Sequence, residues 1–169
     1  MEDIEKEENN IINIFTNKII VTPLNKKFWH LLYNQKCINI NINNALIPFG
    51  VEKYNDKLIL NLELFETNDN NNIISKIEAL ENEIQKYFKN MGIIKTLKKS
   101  KIGYLVRSHY LKSTECYILK KNGEKMMIDE SNLQNAECGF NLLIKGIWVN
   151  DNNYGLYIII HSIKINKFN

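Results

Sequence analysis

Apolar and polar residues alternate along two stretches of this chain almost without exception. In residues 37–43, Ile38, Ile40 and Ile42 are interleaved with Asn39, Asn41 and Asn43. In residues 58–64, Leu58, Leu60, Leu62 and Leu64 share one parity, and Ile59, Asn61 and Glu63 share the other. Successive side chains of a strand point to opposite faces, so this period predicts half-buried strands with the first set inward. Residues 14–22, stopped by Pro23, and the aromatic-rich residues 28–33, ended by Asn34 and Gln35, read as two earlier strands. Ile47-Pro48-Phe49-Gly50 is a turn-like joint, with Phe49 expected to anchor it.

After the Asn70–Asn72 cluster, expected as a cap, the period changes. Ile73, Ile74, Ile77, Leu80, Ile84 and Phe88 recur at steps of three and four, with Lys76, Glu78, Asn82, Glu83 and Lys86 between them. That spacing predicts one amphipathic helix, ended near residues 90–92, whose apolar stripe covers one end or face of the β structure. Residues 93–112 are basic and give no clear period. Residues 115–121 and 124–129 flank Asn122-Gly123, which predicts a hairpin with a type I′ turn.

The final pair of runs, residues 142–149 and 154–165, flanks Asn150, Asp151, Asn152 and Asn153. Asn and Asp tolerate the left-handed conformation that tight turns need, so a second hairpin follows. Gly146 and Gly155 lie in or at the edge of its arms, where glycine marks a bulge or a close backbone approach. The order of strands, one long helix, then two hairpins predicts a mainly β fold. The expected architecture is an oligonucleotide-binding (OB) type, Greek-key β-barrel with an inserted α-helix. Residues 1–12 are expected to be a flexible acidic arm, and residues 13–169 one domain.

Charge is unevenly placed. Residues 1–8 carry a net −4, whereas residues 86–125 hold ten lysines and Arg107 against Glu115 and Glu124. Concentrated positive charge points to a polyanion partner. Within and beside it, Lys95, Lys98, Lys99, Lys101, Arg107 and Lys112 are interleaved with Tyr104 and Tyr110, and Tyr117, Lys120 and Lys121 follow. Cations for phosphates and aromatic faces for bases are what binding of a single strand requires, so these residues form the candidate interface. Trp148, beside Ile147 in an apolar strand, is expected in the core. Alternation puts Trp29 on the face opposite Phe28 and His30, its exposure left open.

Other chemistries find little support. His30, His109 and His161 are isolated, and no metal-ligand spacing, phosphate-binding glycine loop or nucleophile elbow occurs. Glu63/Glu66 and Asp129/Glu130 lack the partners of a two-metal site. Neither catalytic residues nor a metal or cofactor are expected. Cys37, Cys116 and Cys138 are odd in number and far apart, which fits a reducing, intracellular setting. No run approaches the roughly 20 apolar residues of a membrane span.

The segment Asn41-Ile42-Asn43-Asn44-Ala45-Leu46-Ile47-Pro48-Phe49-Gly50-Val51, with Tyr54, Lys57-Leu58-Ile59-Leu60-Asn61-Leu62-Glu63-Leu64, Lys145-Gly146-Ile147-Trp148-Val149 and Tyr154-Gly155-Leu156, resembles a protein family of nucleocytoplasmic large DNA viruses. Members are regarded as OB-fold single-stranded-DNA-binding proteins, similar in fold to those of some podophages. The resemblance implies a sequence-tolerant binder of single-stranded DNA in replication, recombination or repair. It also implies residence in the host cytoplasm, a viral factory or the virion. RNA, a second copy of the chain, and replication or virion proteins are further candidate partners. The chain is shorter than those members around residues 93–111. That keeps open a viral structural or interaction module that retains the barrel without binding nucleic acid.

Overall fold

The computed structural model describes residues 19–168. The expected acidic arm and the first residues of the expected first strand lie outside the described residues. Twelve strands follow: β1 (Ile19–Pro23), β2 (Phe28–Tyr33), β3 (Ile38–Leu46), β4 (Val51–Tyr54), β5 (Lys57–Phe65), β6 (Gly92–Ile93), β7 (Leu97–Lys99), β8 (Gly103–Tyr110), β9 (Glu115–Leu119), β10 (Lys125–Met127), β11 (Glu137–Val149) and β12 (Asn153–Lys167). Among the described residues one α-helix, α1 (Asn68–Ile84), lies between β5 and β6 and runs into a 3-10 turn, Gln85–Tyr87.

Five strands close into a ring, β11–β3–β5–β8–β12 and back to β11. All neighbours are antiparallel except β8 and β12, which are parallel. With α1 inserted between β5 and the last three barrel strands, this ring is the OB-type Greek-key barrel with an inserted helix that the sequence predicts. Its seams are thin, with Leu46↔Glu63 the paired position between β3 and β5 and Ile159↔His109 that between β8 and β12. β1 and β2 extend the sheet beyond β11, and β9 and β10 extend it beyond β12.

The alternating runs behave as their period requires. Ile38, Ile40, Ile42, Leu60, Leu62 and Leu64 are buried in the core. Ile59, expected outward, is also only 4% exposed. It does point away from the core cluster, but at that position the outer face is covered too.

The helix starts earlier than expected. Thr67, not the asparagine cluster, is the cap: its Oγ1 accepts a hydrogen bond from the Asn70 amide at 3.2 Å. Asn70–Asn72 therefore lie inside the helix, and the buried Asn70 side chain donates to the Phe65 carbonyl at 3.1 Å. The stripe Ile73, Ile74, Ile77, Leu80 and Ile84 is buried throughout. Beyond it, Phe88 stacks on Tyr154 at 4.5 Å and meets Trp29 at 4.9 Å. Trp29 is thereby half-buried, on the core side.

Residues 93–112, unassigned by period, hold β7, β8 and the end of β6. At Asn122-Gly123 the turn type differs from expectation. Only Gly123 of the two has positive φ, at 84°. Its amide donates to the Lys120 carbonyl at 2.9 Å, and the Lys120 amide donates to the Glu124 carbonyl at 2.9 Å. This is a tight turn followed by a glycine bulge, which lengthens the loop and ends β9 at Leu119. Phe49 also differs, being 54% exposed. The joint is held instead by Ile47, fully buried and bonded through its backbone to Asn135 and Ala136.

Candidate functional site

Alternation along β8 divides its side chains into two roles. Val106, Ser108 and Tyr110 are buried and Tyr104 packs against the core, whereas Leu105, Arg107 and His109 take the outer face. β5 pairs with β8 through Ile59↔His109, Asn61↔Arg107 and Glu63↔Leu105, so its outer residues join theirs. Two adjoining clefts of about 430 and 620 Å³ open over this face. Tyr54, Ile59, Ile94, Lys95, Thr96 and Arg107 line both. One end adds Trp148, Asn150 and Tyr157, and the other adds Phe49, Lys53 and Lys98.

The strap at residues 94–98 is fixed from behind. The Ile94 amide donates to the Tyr154 carbonyl at 2.8 Å. The Thr96 amide donates to Glu81 Oε2 at 3.3 Å. Glu81 comes from α1 and is 3% exposed. Burial raises its pKa to about 7, opposed by the Thr96 hydrogen bond and by Lys95.

Cations and rings meet in the cleft. Lys53, Lys57, Lys95, Lys98 and Arg107 face it against Glu52, whose carboxylate accepts from Asn61 Nδ2 at 3.2 Å. The Arg107 guanidinium lies 4.8 Å from the centroid of the Tyr54 ring, and Tyr54 is 58% exposed. His109 is held below the usual histidine range, first by burial and then by Lys57 and Arg107. Its ring packs on Tyr157 at 4.7 Å, and Tyr157 meets the edge of Phe28 at 5.9 Å.

Both glycines of the last hairpin make room for these rings. A Cβ at Gly155 would lie 2.8 Å from the indole of Trp148, its partner in the β11–β12 register. A Cβ at Gly146 would lie 2.5 Å from the Phe28 ring and 2.4 Å from the Trp29 carbonyl oxygen. The register shifts between Ile144 and Gly146, so the expected bulge and close approach coincide there. Trp148, expected in the core, is half-buried and lines the cleft, because Gly155 gives its ring a seat on the outer face.

The sequence-predicted residues separate into groups. Lys95, Lys98 and Arg107 meet in the cleft. Lys99 and Lys101 are exposed beside it, without lining it. Tyr110 is 7% exposed and its hydroxyl is pushed up to about 12 by burial, then by nearby carboxylates. It presents no open ring face, and Tyr104 is on the same side of β8. Lys112 lies on the connection from β8 to β9, while Tyr117, Lys120 and Lys121 belong to the β9–β10 hairpin, outside the cleft.

Phe49, Lys53, Tyr54, Lys57, Trp148 and Tyr157 lie outside the basic stretch and join the site only through the fold. Ile59 was the available signal: an isoleucine at an outward position implies that something covers that face. Among the described residues no group of three His, Cys, Asp or Glu side chains is placed to hold a metal ion. No helix among them is long and apolar enough to cross a membrane.

No protein-family model and no curated protein matches the sequence. Solved structures do match the fold. The single-stranded DNA-binding protein from bacteriophage Enc34 in complex with ssDNA superposes with a TM-score of 0.58 at 11% identity, covering 90% of this chain and 97% of that one. A second structure of that phage protein gives 0.57 at 11% identity, over 89% of this chain and 90% of the other. Its C-terminal truncation gives 0.55 at 9% identity, over 90% and 96%. At these identities the likeness is one of fold.

Proposed function

We propose that this chain binds single-stranded DNA without catalysis and with little sequence preference, in the replication, recombination or repair of a large DNA virus. One observation carries the reading. On a barrel shared with a phage single-stranded-DNA-binding protein, the cleft brings five cations together with the exposed rings of Phe49 and Tyr54 and the half-buried Trp148 and Tyr157. Lys53, Lys57, Lys95, Lys98 and Arg107 neutralise phosphates, with Lys99 and Lys101 adding to the local field. Tyr54, Trp148 and Phe49 offer ring faces to unstacked bases, at about 1–3 kcal/mol per base. Every base has a stackable face, which is why the binding tolerates sequence. A duplex hides those faces, so the same cleft disfavours it.

Competition against a labelled oligothymidine tests the proposal. Unlabelled single-stranded DNA displaces the label far better than duplex DNA, and an RNA competitor reports the sugar preference. Duplex competing as well as single strand contradicts the stacking role. A second reading, an interaction module, is favoured by edge strand β10, where Met126 and Met127 are 44% and 61% exposed. It requires negligible oligonucleotide binding and self-association or capture of a partner strand.

A further inference from the structure

The outer face of β12 continues beyond the cleft. Tyr157, Ile159 and His161 alternate with the core residues Ile158 and Ile160. The register against β11 then slips, Leu142 pairing with Ile160 but Asn141 with Ser162. The slip reverses the parity of the strand. Ile163 and Ile165 are in the core, so Lys164 falls on the same face as Tyr157.

Along this part of β12 the parallel neighbour changes from β8 to β9. Ile159↔His109 is followed by Ser162↔Glu115, Ile163↔Cys116 and Lys164↔Tyr117. Cys116 is buried, which turns Tyr117 outward beside Lys164. Lys125 Nζ lies 4.5 Å from the centroid of the Tyr117 ring. Glu115 pairs with Lys125 at 3.2 Å, with side chains 48% and 51% exposed. An ion pair in that setting is weak, and a phosphate competes with it. Lys112 is exposed on the connection between the cleft and this patch.

We propose that Tyr117, Lys125 and Lys164 form a second grip for a single-stranded nucleic acid that leaves the cleft along the outer face of β12. The proposal rests on the reading of the cleft as a single-strand site. From Tyr157 to Lys164 the strand covers about 23 Å at roughly 3.3 Å per residue. On the order of seven stacked nucleotides span that length at about 3.4 Å each, fewer when stretched. A strand held only in the cleft therefore does not reach the second grip, and a longer one does.

The test is a length series. Labelled oligothymidines of about 5 and about 15 nucleotides, within the range of OB-type sites, are titrated with the wild type, Lys164→Glu and Tyr117→Ala. The wild type binds the longer oligomer more tightly than the added number of binding registers accounts for. Both variants keep the wild-type affinity for the short oligomer and lose about tenfold on the long one. Lys164→Glu also lowers the salt slope for the long oligomer by about one. Wild-type affinity of Lys164→Glu for the long oligomer, or equal losses at both lengths, overturns the second grip and leaves the cleft standing. A wild type that binds neither length overturns both readings. Lys164 is exposed, so its variant does not depend on core packing, and unfolding midpoints check Tyr117→Ala.

Discussion

The indole of Trp148 rests on Gly155, its cross-strand partner, so closely that a single added methyl would sit 2.8 Å from the ring. A residue without a Cβ is what lets the ring occupy the outer face at the end of the cleft. Gly155→Ala forces the indole off its seat or pushes the strands apart. The expected cost is about 1–3 kcal/mol in stability, read as a lower unfolding midpoint. A shift in tryptophan emission accompanies it, and oligothymidine affinity falls several-fold. Wild-type emission and affinity in this variant would count against Trp148 as a platform.

Arg107 over Tyr54 separates charge from stacking. Arg107→Ala removes one phosphate contact, so it weakens binding and reduces the salt slope by about one. Tyr54→Ala costs about 1–3 kcal/mol of binding and leaves that slope unchanged. Salt-titrated anisotropy of the two variants checks the division of roles. Equal slope changes would show that the two side chains act as one unit.

The buried Glu81 predicts a pH dependence. Its folded pKa is raised from 4.5 to about 7, so between those values the folded state holds a proton that the unfolded state has released. Its favourable contribution is complete below pH 4.5, is lost as pH rises through 7, and stays absent above. Glu81→Gln removes the slope over that window while keeping an acceptor for the Thr96 amide. The variant gains stability relative to the wild type at pH 8, on the order of 1 kcal/mol. Denaturant unfolding at pH 5 and pH 8 measures it. An unchanged slope would place the titration elsewhere.

Thr67→Ala removes the cap of α1 and leaves the Asn70 amide without its side-chain acceptor. The expected loss is about 1 kcal/mol, seen as a lower melting temperature with oligonucleotide affinity retained.

The barrel was legible because its core strands have clean partner faces. Ile38, Ile40 and Ile42 against three asparagines leave one choice of register, and the stripe from Ile73 to Phe88 leaves one choice of helix. β8 was hidden for the opposite reason. Its outer positions, Leu105, Arg107 and His109, mix apolar, charged and aromatic character, since they face a cleft and not open water. Charge alone led to Lys95, Lys98 and Arg107. It did not lead to Tyr54 or Trp148, which lie outside the basic stretch, and Trp148 beside Ile147 reads as core until the closed ring shows which face it takes. Tyr104 and Tyr110 take the core side of β8 on the same point, since one step of parity on that strand decides between cleft and core.

Reversing the cleft's charge removes the cations on which single-strand binding depends. The variant Lys95→Glu, Lys98→Glu, Arg107→Glu is compared with the wild type by anisotropy of a labelled oligothymidine across a salt series. For the wild type, the logarithm of affinity falls linearly with the logarithm of salt concentration. The variant remains folded by its unfolding midpoint and loses binding by a factor on the order of a hundred or more at low salt, with a flattened slope. Wild-type affinity and slope in the folded variant would contradict the cleft as the single-strand site.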